Sequence, residues 1–315
     1  DLIKNTGLSL PKNRDDLKAF YKKLPSGFSV AWALCPTDIW CTFLSLCAQN
    51  YGKGFIQNQH INSQVGVEAL DDIKFHVAHS HPESLNWNPI QILDSMGNED
   101  EIIYSPYLFG YTNYSRKNYT KNIVNFTNSP VGRQQNVSTI MGGVGLAVSA
   151  LCKQPSLAAN FVMYAASANI QKGVFTLNGG QPASKTAWEN AENNALCNNF
   201  FKDTKLTIEN AYIRPQHPGW NQFQEQGADI IHGGILKNMS SEIIMKNLKQ
   251  TIVNKVEALN KLDASVEKST GKQSMSRREL AVMASLYTAK TCDLSNFNEK
   301  AKRAVNKEIL DTVGK

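Results

Sequence analysis

Gly142-Gly143-Val144-Gly145-Leu146-Ala147-Val148-Ser149, then Lys153-Gln154-Pro155-Ser156-Leu157-Ala158-Ala159-Asn160-Phe161, then Gly179-Gly180-Gln181-Pro182-Ala183, is the stretch on which the fold turns. Its first piece reads as a glycine-led strand. The second reads as a helix over residues 155–166, with proline in the first turn, where its missing N–H costs nothing. The third reads as a turn. The glycine run lacks the lysine of a phosphate-binding loop and the spacing of G-x-G-x-x-G. Bare backbone at Gly142 and Gly143 therefore serves close packing or a crossing between lobes, or else lets a ligand approach the main chain.

Working outward, Asn13 followed by Asp15 and Asp16 marks a helix start. Residues 27–33 read as a strand. Pro36-Thr37-Asp38 opens an apolar helix that Gly52-Lys53-Gly54 ends. Helical spacing covers residues 65–79, and residues 101–105 read as a short strand leading into Pro106-Tyr107-Leu108-Phe109-Gly110-Tyr111. A short helix near Trp188 and helices over residues 221–262 follow. This mixture predicts an α/β sheet protein covered by helices. The 315 residues suggest about two domains, and 42% hydrophobic with 19% charged residues excludes a mainly disordered chain. No run reaches the ~18 apolar residues of a membrane helix. The net charge is +6, but the basic residues are dispersed until the last fifty positions, so no nucleic-acid partner is expected. Residues 263–276 read as a linker and the remainder as a basic tail. Proteolysis is expected first between about Asp263 and Arg278, unless Leu280, Met283 and Leu286 pack on a lobe.

No nucleophile elbow, Walker loop, H-E-x-x-H or dinucleotide fingerprint occurs, so neither an enzyme nor a cofactor is expected. The six cysteines have no C-x-x-C pair. Cys35, Cys41 and Cys47, six apart, face different ways on a helix and read as small buried hydrophobes, with a disulfide left open. His76, His79 and His81 form H-x-x-H-x-H. A metal site is one reading, but only Glu83 is near to complete it, and a polar helix end is the other; no metal is expected. The aromatics say more. Trp40, Tyr107, Phe109, Tyr111 and Trp220 stand beside proline or glycine, as loop-tip residues that meet ligands do. Flat aromatic faces cover the C–H face of a sugar while Asp, Arg and Asn bond its hydroxyls. The alternative for each aromatic is a place in the core.

In their order, the quoted pieces resemble the family 1 extracellular solute-binding proteins of bacterial ABC importers, the maltose-binding-protein-like sugar receptors. Residues 8–24, the turn at 103–109 and the proline-rich loop from Arg214 to Gln224 are similar to further family segments, so the likeness runs over about residues 1–262. It implies the type II periplasmic-binding-protein fold, an α/β fold of two lobes with a hinge, here truncated at the N-terminus. Residues 1–140 would be the first part of the second lobe, 141–185 the hinge crossing and returning part of the first lobe, 186–262 the rest of the second lobe, and 263–315 a tail. The resemblance further implies a monomeric, non-enzymatic receptor, periplasmic or extracellular and membrane-anchored, that passes a small carbohydrate-like solute to membrane permease subunits. Carried over by position, Asp38, Trp40, Tyr107, Phe109, Tyr111, Gly142, Gly143, Arg214 and Trp220 would bind that solute. A hydrolase or a basic-tail interaction module is the alternative function.

Overall fold

Residues 2–57, 60–215 and 220–251 are described by the computed structural model. The expected linker and basic tail lie outside the described residues. The described part divides into two units: residues 2–143 with 172–251, and residues 144–171.

In the larger unit, α1 (Arg14–Lys23) begins where Asn13 Oδ1 accepts the Asp16 N–H at 2.9 Å, and it turns Leu17 and Phe20 inward. β1 (Ser29–Val30) precedes α2 (Pro36–Tyr51), which is buried from Ile39 to Asn50 and forms the centre of the core. A helix apolar on all sides has to be enclosed on all sides. Gly52 closes α2 at φ 94°, a left-handed conformation open to glycine. Next come β2 (Ile56–Gln57), β3 (His60–Ile61), α3 (Ser63–His79), α4 (Pro89–Asn98) and β4 (Ile102–Tyr104). After α5 (Pro155–Ala165), α6 (Trp220–Leu236) packs on α2, and residues 241–251 are again helical. Asn88 and Gln91 form a reciprocal capping box at the start of α4, Asn88 Oδ1 accepting the Gln91 N–H at 3.0 Å and Gln91 Oε1 the Asn88 N–H at 2.9 Å. Asn88→Ala should lower stability by about 1 kcal/mol, read as a shifted denaturant midpoint at unchanged slope.

The described residues are richer in helix, and poorer in strand, than an α/β sheet protein leads one to expect. β1 and β4 pair in parallel, β2 and β3 antiparallel, and none exceeds three residues. The strand expected over residues 27–33 shortens for a visible reason. The Ala31 N–H still donates to the Tyr104 carbonyl at 3.1 Å, but beyond it the backbone is satisfied by a loop instead of another strand: the Trp32 N–H donates to Ser84 Oγ at 3.1 Å and the Leu34 N–H to the Ser84 carbonyl at 3.0 Å. This is how a buried irregular segment meets its hydrogen-bonding needs.

Residues 144–171 form the smaller unit. The glycine-led strand expected over residues 142–149 does not form; that segment is irregular and largely exposed. A strand needs a neighbouring strand to bond, and among the described residues it has none. The expected helix does form, as α5, with Pro155 in its first turn. Nothing in α5 is buried within this unit, and Leu157, Phe161, Met163 and Tyr164 are all exposed.

Candidate functional site

Ligands of α/β proteins gather beyond the carboxyl ends of parallel strands. Beyond the end of β1 the chain reaches Cys35 and the start of α2, carrying Asp38. Directly after β4 come Ser105, Pro106 and the aromatic turn Tyr107 to Tyr111. A second parallel bridge joins Ile140 to Tyr212; the Met141 N–H donates to the Tyr212 carbonyl at 2.8 Å and the Tyr212 N–H to the Thr139 carbonyl at 2.9 Å. Gly142 and Gly143 leave just past one partner, and Arg214 just past the other.

The aromatic turn is held from several sides. Tyr107 has φ 53°, rare for a bulky residue, so its surroundings must hold it there. Its ring lies 5.4 Å from that of Trp32, and its hydroxyl donates to Gln49 Oε1 at 3.0 Å. Burial of that phenol pushes its pKa up, so it stays neutral. Buried Gln49 also donates from Nε2 to the Pro130 carbonyl at 3.0 Å. Phe109 covers Gly142 so closely that a Cβ there would stand 2.5 Å from Phe109 Cε1. Arg116 Nη2 donates to the Thr176 carbonyl at 2.5 Å, and Gln181 bonds the backbone at Gly110 and Thr112. Residues 107–116 thus touch the chain both just before it leaves the larger unit and just after it returns. Tyr111 is 41% exposed.

Asp38 lies in the first turn of α2, and Arg214 acts electrostatically on Cys41 of the same helix. Cys35 Sγ donates to Asp38 Oδ2 at 3.1 Å. Burial raises the Asp38 carboxyl pKa, an effect that the thiol's hydrogen bond opposes. Burial foremost, then Asp38, pushes the Cys35 thiol up to about 11. Cys41, one turn further, rises to about 12 through burial, with Arg214 opposing and Asp38 adding to the shift. Both charges therefore lie within electrostatic reach of one buried sulfur. Arg214 Nη1 donates to Gln224 Oε1 at 2.7 Å. None of these thiols is activated as a nucleophile at neutral pH.

Two expectations are corrected. Trp40 is not at a loop tip. It lies one turn inside α2, is 0% exposed, and fits against Gly227, where a Cβ would stand 2.5 Å from its Cζ3. Trp220 is 5% exposed, its ring 6.2 Å from that of Trp40. Proline and glycine next to an aromatic mark a chain reversal, but the helix phase decides which way the ring points. The three histidines each stack on a different ring. His76 is buried and stacks on Trp32 at 4.4 Å, His79 stacks on Phe75 at 4.2 Å, and His81 on Trp87 at 4.6 Å. No group of three metal-ligating side chains converges among the described residues. Of the cysteines, Cys41, Cys47 and Cys197 are buried, and all five that are described are free thiols. Gln49 and Gln181 were missed by residue-by-residue reasoning, although Gln181 stands inside the quoted Gly-Gly-Gln-Pro turn.

No protein-family model matches the chain, and no curated protein matches its sequence. Solved structures do match. Maltose-bound MalE3 of T. maritima superposes with a TM-score of 0.65 at 16% identity, over 80% of this chain and 67% of that one. An ABC transporter solute-binding protein from Agrobacterium radiobacter K84, in complex with ribitol, gives a TM-score of 0.66 at 20% identity, over 80% of this chain and 66% of that one. Another from Agrobacterium vitis S4, with bound D-mannitol, gives 0.64 at 13%, over 82% and 69%. The chain therefore spans about two thirds of the length of the structures it matches. What is shared at these identities is the fold, that of the type II periplasmic-binding proteins of ABC transporters.

Proposed function

We propose that this chain is part of a solute-binding receptor of an ABC import system, which captures a sugar or polyol between two lobes and hands it to permease subunits in the membrane. In this reading residues 1–140 and 186–262 belong to the second lobe and residues 141–185 to the crossing and to the returning part of the first. Residues 263–315 are a tail. The protein is a monomeric receptor and not an enzyme, and it works in the periplasm or at the outer cell surface, anchored to the membrane. The observation that carries the reading is the aromatic turn beyond β4, with Phe109 lying over Gly142 and Gln181 bonded to its backbone. Apolar ring faces there suit the C–H face of a sugar, and Asp38 and Arg214 suit its hydroxyls. Phe109, Tyr111, Gly142, Gly143, Asp38 and Arg214 are the proposed ligand-facing residues, with Tyr107 anchoring the turn from within and Trp40 and Trp220 as the core behind them.

The natural gene product, titrated calorimetrically with mono- and oligosaccharides and with polyols, should bind at least one of them. At about a hundredfold excess over Kd that ligand should stabilise the protein by about 2.7 kcal/mol. Tight binding confined to metal ions or peptides would reject the proposal.

A further inference from the structure

We propose that Gln181 is the positioning residue of the aromatic turn, fixing Tyr111 in the attitude in which it meets solute; this rests on the receptor reading above. Gln181 Oε1 accepts the Thr112 N–H at 3.0 Å, and Gln181 Nε2–H donates to the Gly110 carbonyl at 3.1 Å. Those two groups belong to the two peptide units on either side of the Tyr111 Cα. Peptide units are rigid planes, so the backbone freedom of Tyr111 lies in the two torsions between them. Pinning both planes to one side-chain amide fixes both torsions, and with them the direction in which Tyr111 leaves the backbone. Its ring is among the exposed large side chains of the unit.

The residues around Gln181 deliver it to this place. Gly179 has φ 92°, a conformation that side chains avoid. At Gly180 a Cβ would stand 2.6 Å from the Phe175 ring, so a side chain there would have to displace that ring. On the other side the Pro182 carbonyl accepts the Trp188 Nε1–H at 2.6 Å. Gly-Gly-Gln-Pro is thus a built mount for one amide, located where the chain has returned to the larger unit. An aromatic platform held before ligand arrives loses less conformational freedom when it binds. The amide offers one acceptor and one donor, and the turn supplies the matching donor and acceptor.

The test uses the natural gene product with maltose, ribitol and D-mannitol as probes, followed by the probe that the wild type binds most tightly. Gln181→Ala should weaken binding about tenfold, the net worth of one or two hydrogen bonds, with little change in melting temperature because the clamp lies at the surface. Gln181→Glu keeps the acceptor for Thr112 and loses the donor to Gly110, so it should fall between. Tyr111→Ala should also weaken binding, and Gln181→Ala added to it should cost nothing more, since the first change acts through the second residue. Hydrogen exchange gives a readout free of ligand: the Thr112 amide should exchange faster in Gln181→Ala and stay protected in Gln181→Glu. A wild-type protein that binds none of the probes overturns the receptor reading, and this inference with it. Wild-type binding that Gln181→Ala leaves unchanged overturns this inference alone. So does a Gln181→Ala loss that adds in full to that of Tyr111→Ala.

Discussion

Replacing Trp40 by alanine should lower the stability of the protein by about 3–5 kcal/mol. Solute affinity of the fraction that stays folded should remain within about twofold of wild type, because a change in the core and the loop contacts are independent. Trp40 is fully buried between α2 and α6, with Phe43, Trp220 and Phe223 at ring distances of 5.6, 6.2 and 5.2 Å. Its removal opens a large cavity that fixed helices cannot close. The reciprocal change, Gly227→Ala, pushes a methyl group into the same ring and should cost about 1–3 kcal/mol. Urea unfolding of both variants measures this. A Trp40→Ala protein of unchanged midpoint that has lost solute binding would return Trp40 to the ligand site.

Stability should also fall with acid from about pH 6.5, and His76 is responsible for a definable share. The ring is buried against Trp32, and its Nδ1 is 3.2 Å from the Tyr21 hydroxyl, which itself accepts the Trp32 Nε1–H at 2.7 Å. The hydroxyl has one proton to donate, and Nδ1 can accept it only while that nitrogen carries no proton of its own. Burial foremost, then the nearby Lys18 and Arg14 charges, lowers the His76 pKa from 6.5 to about 3. A depressed folded-state value means that the unfolded chain takes up the proton first. The neutral ring's contribution is therefore complete above pH 6.5 and is lost as pH falls from there toward 3. By pH 5 the loss is about 2 kcal/mol, at 1.36 kcal/mol per pH unit. Denaturation at pH 7.5, 6 and 5 reads the slope, and His76→Gln should flatten it by that amount even if it lowers the plateau. An identical slope in the variant would assign the acid sensitivity to other groups.

Local signals in the sequence translated well into helices. Asn13 and Pro36 start helices in the structure, and Gly52 ends one, because a cap depends on residues within a turn of each other. Strands were less legible. Whether residues 27–33 extend a sheet depends on what lies beside them, and Ser84, some fifty positions away, takes the place of a strand. The glycine-led run at 142–149 looked like a strand by composition and has no partner among the described residues. Among the candidate residues, Phe109 and Gly142 do come together, and Tyr107, Phe109 and Tyr111 share one turn, because glycine and aromatic residues sit together in short segments. Trp40 was misplaced for a geometric reason: adjacency to Pro36 says nothing about the face on which the fifth residue of a helix lies. Gln49 and Gln181 act through hydrogen bonds to residues 58 to 81 positions away, and an isolated glutamine carries no local mark of that.

In the proposed reading, solute is met by the aromatic turn where the chain leaves and re-enters the larger unit. Hydrogen exchange of the protein with and without a saturating sugar or polyol tests it most directly. Added protection should be concentrated at residues 107–116, at 141–143 and at 176–182. Protection confined to other segments, or none at saturation, would contradict it.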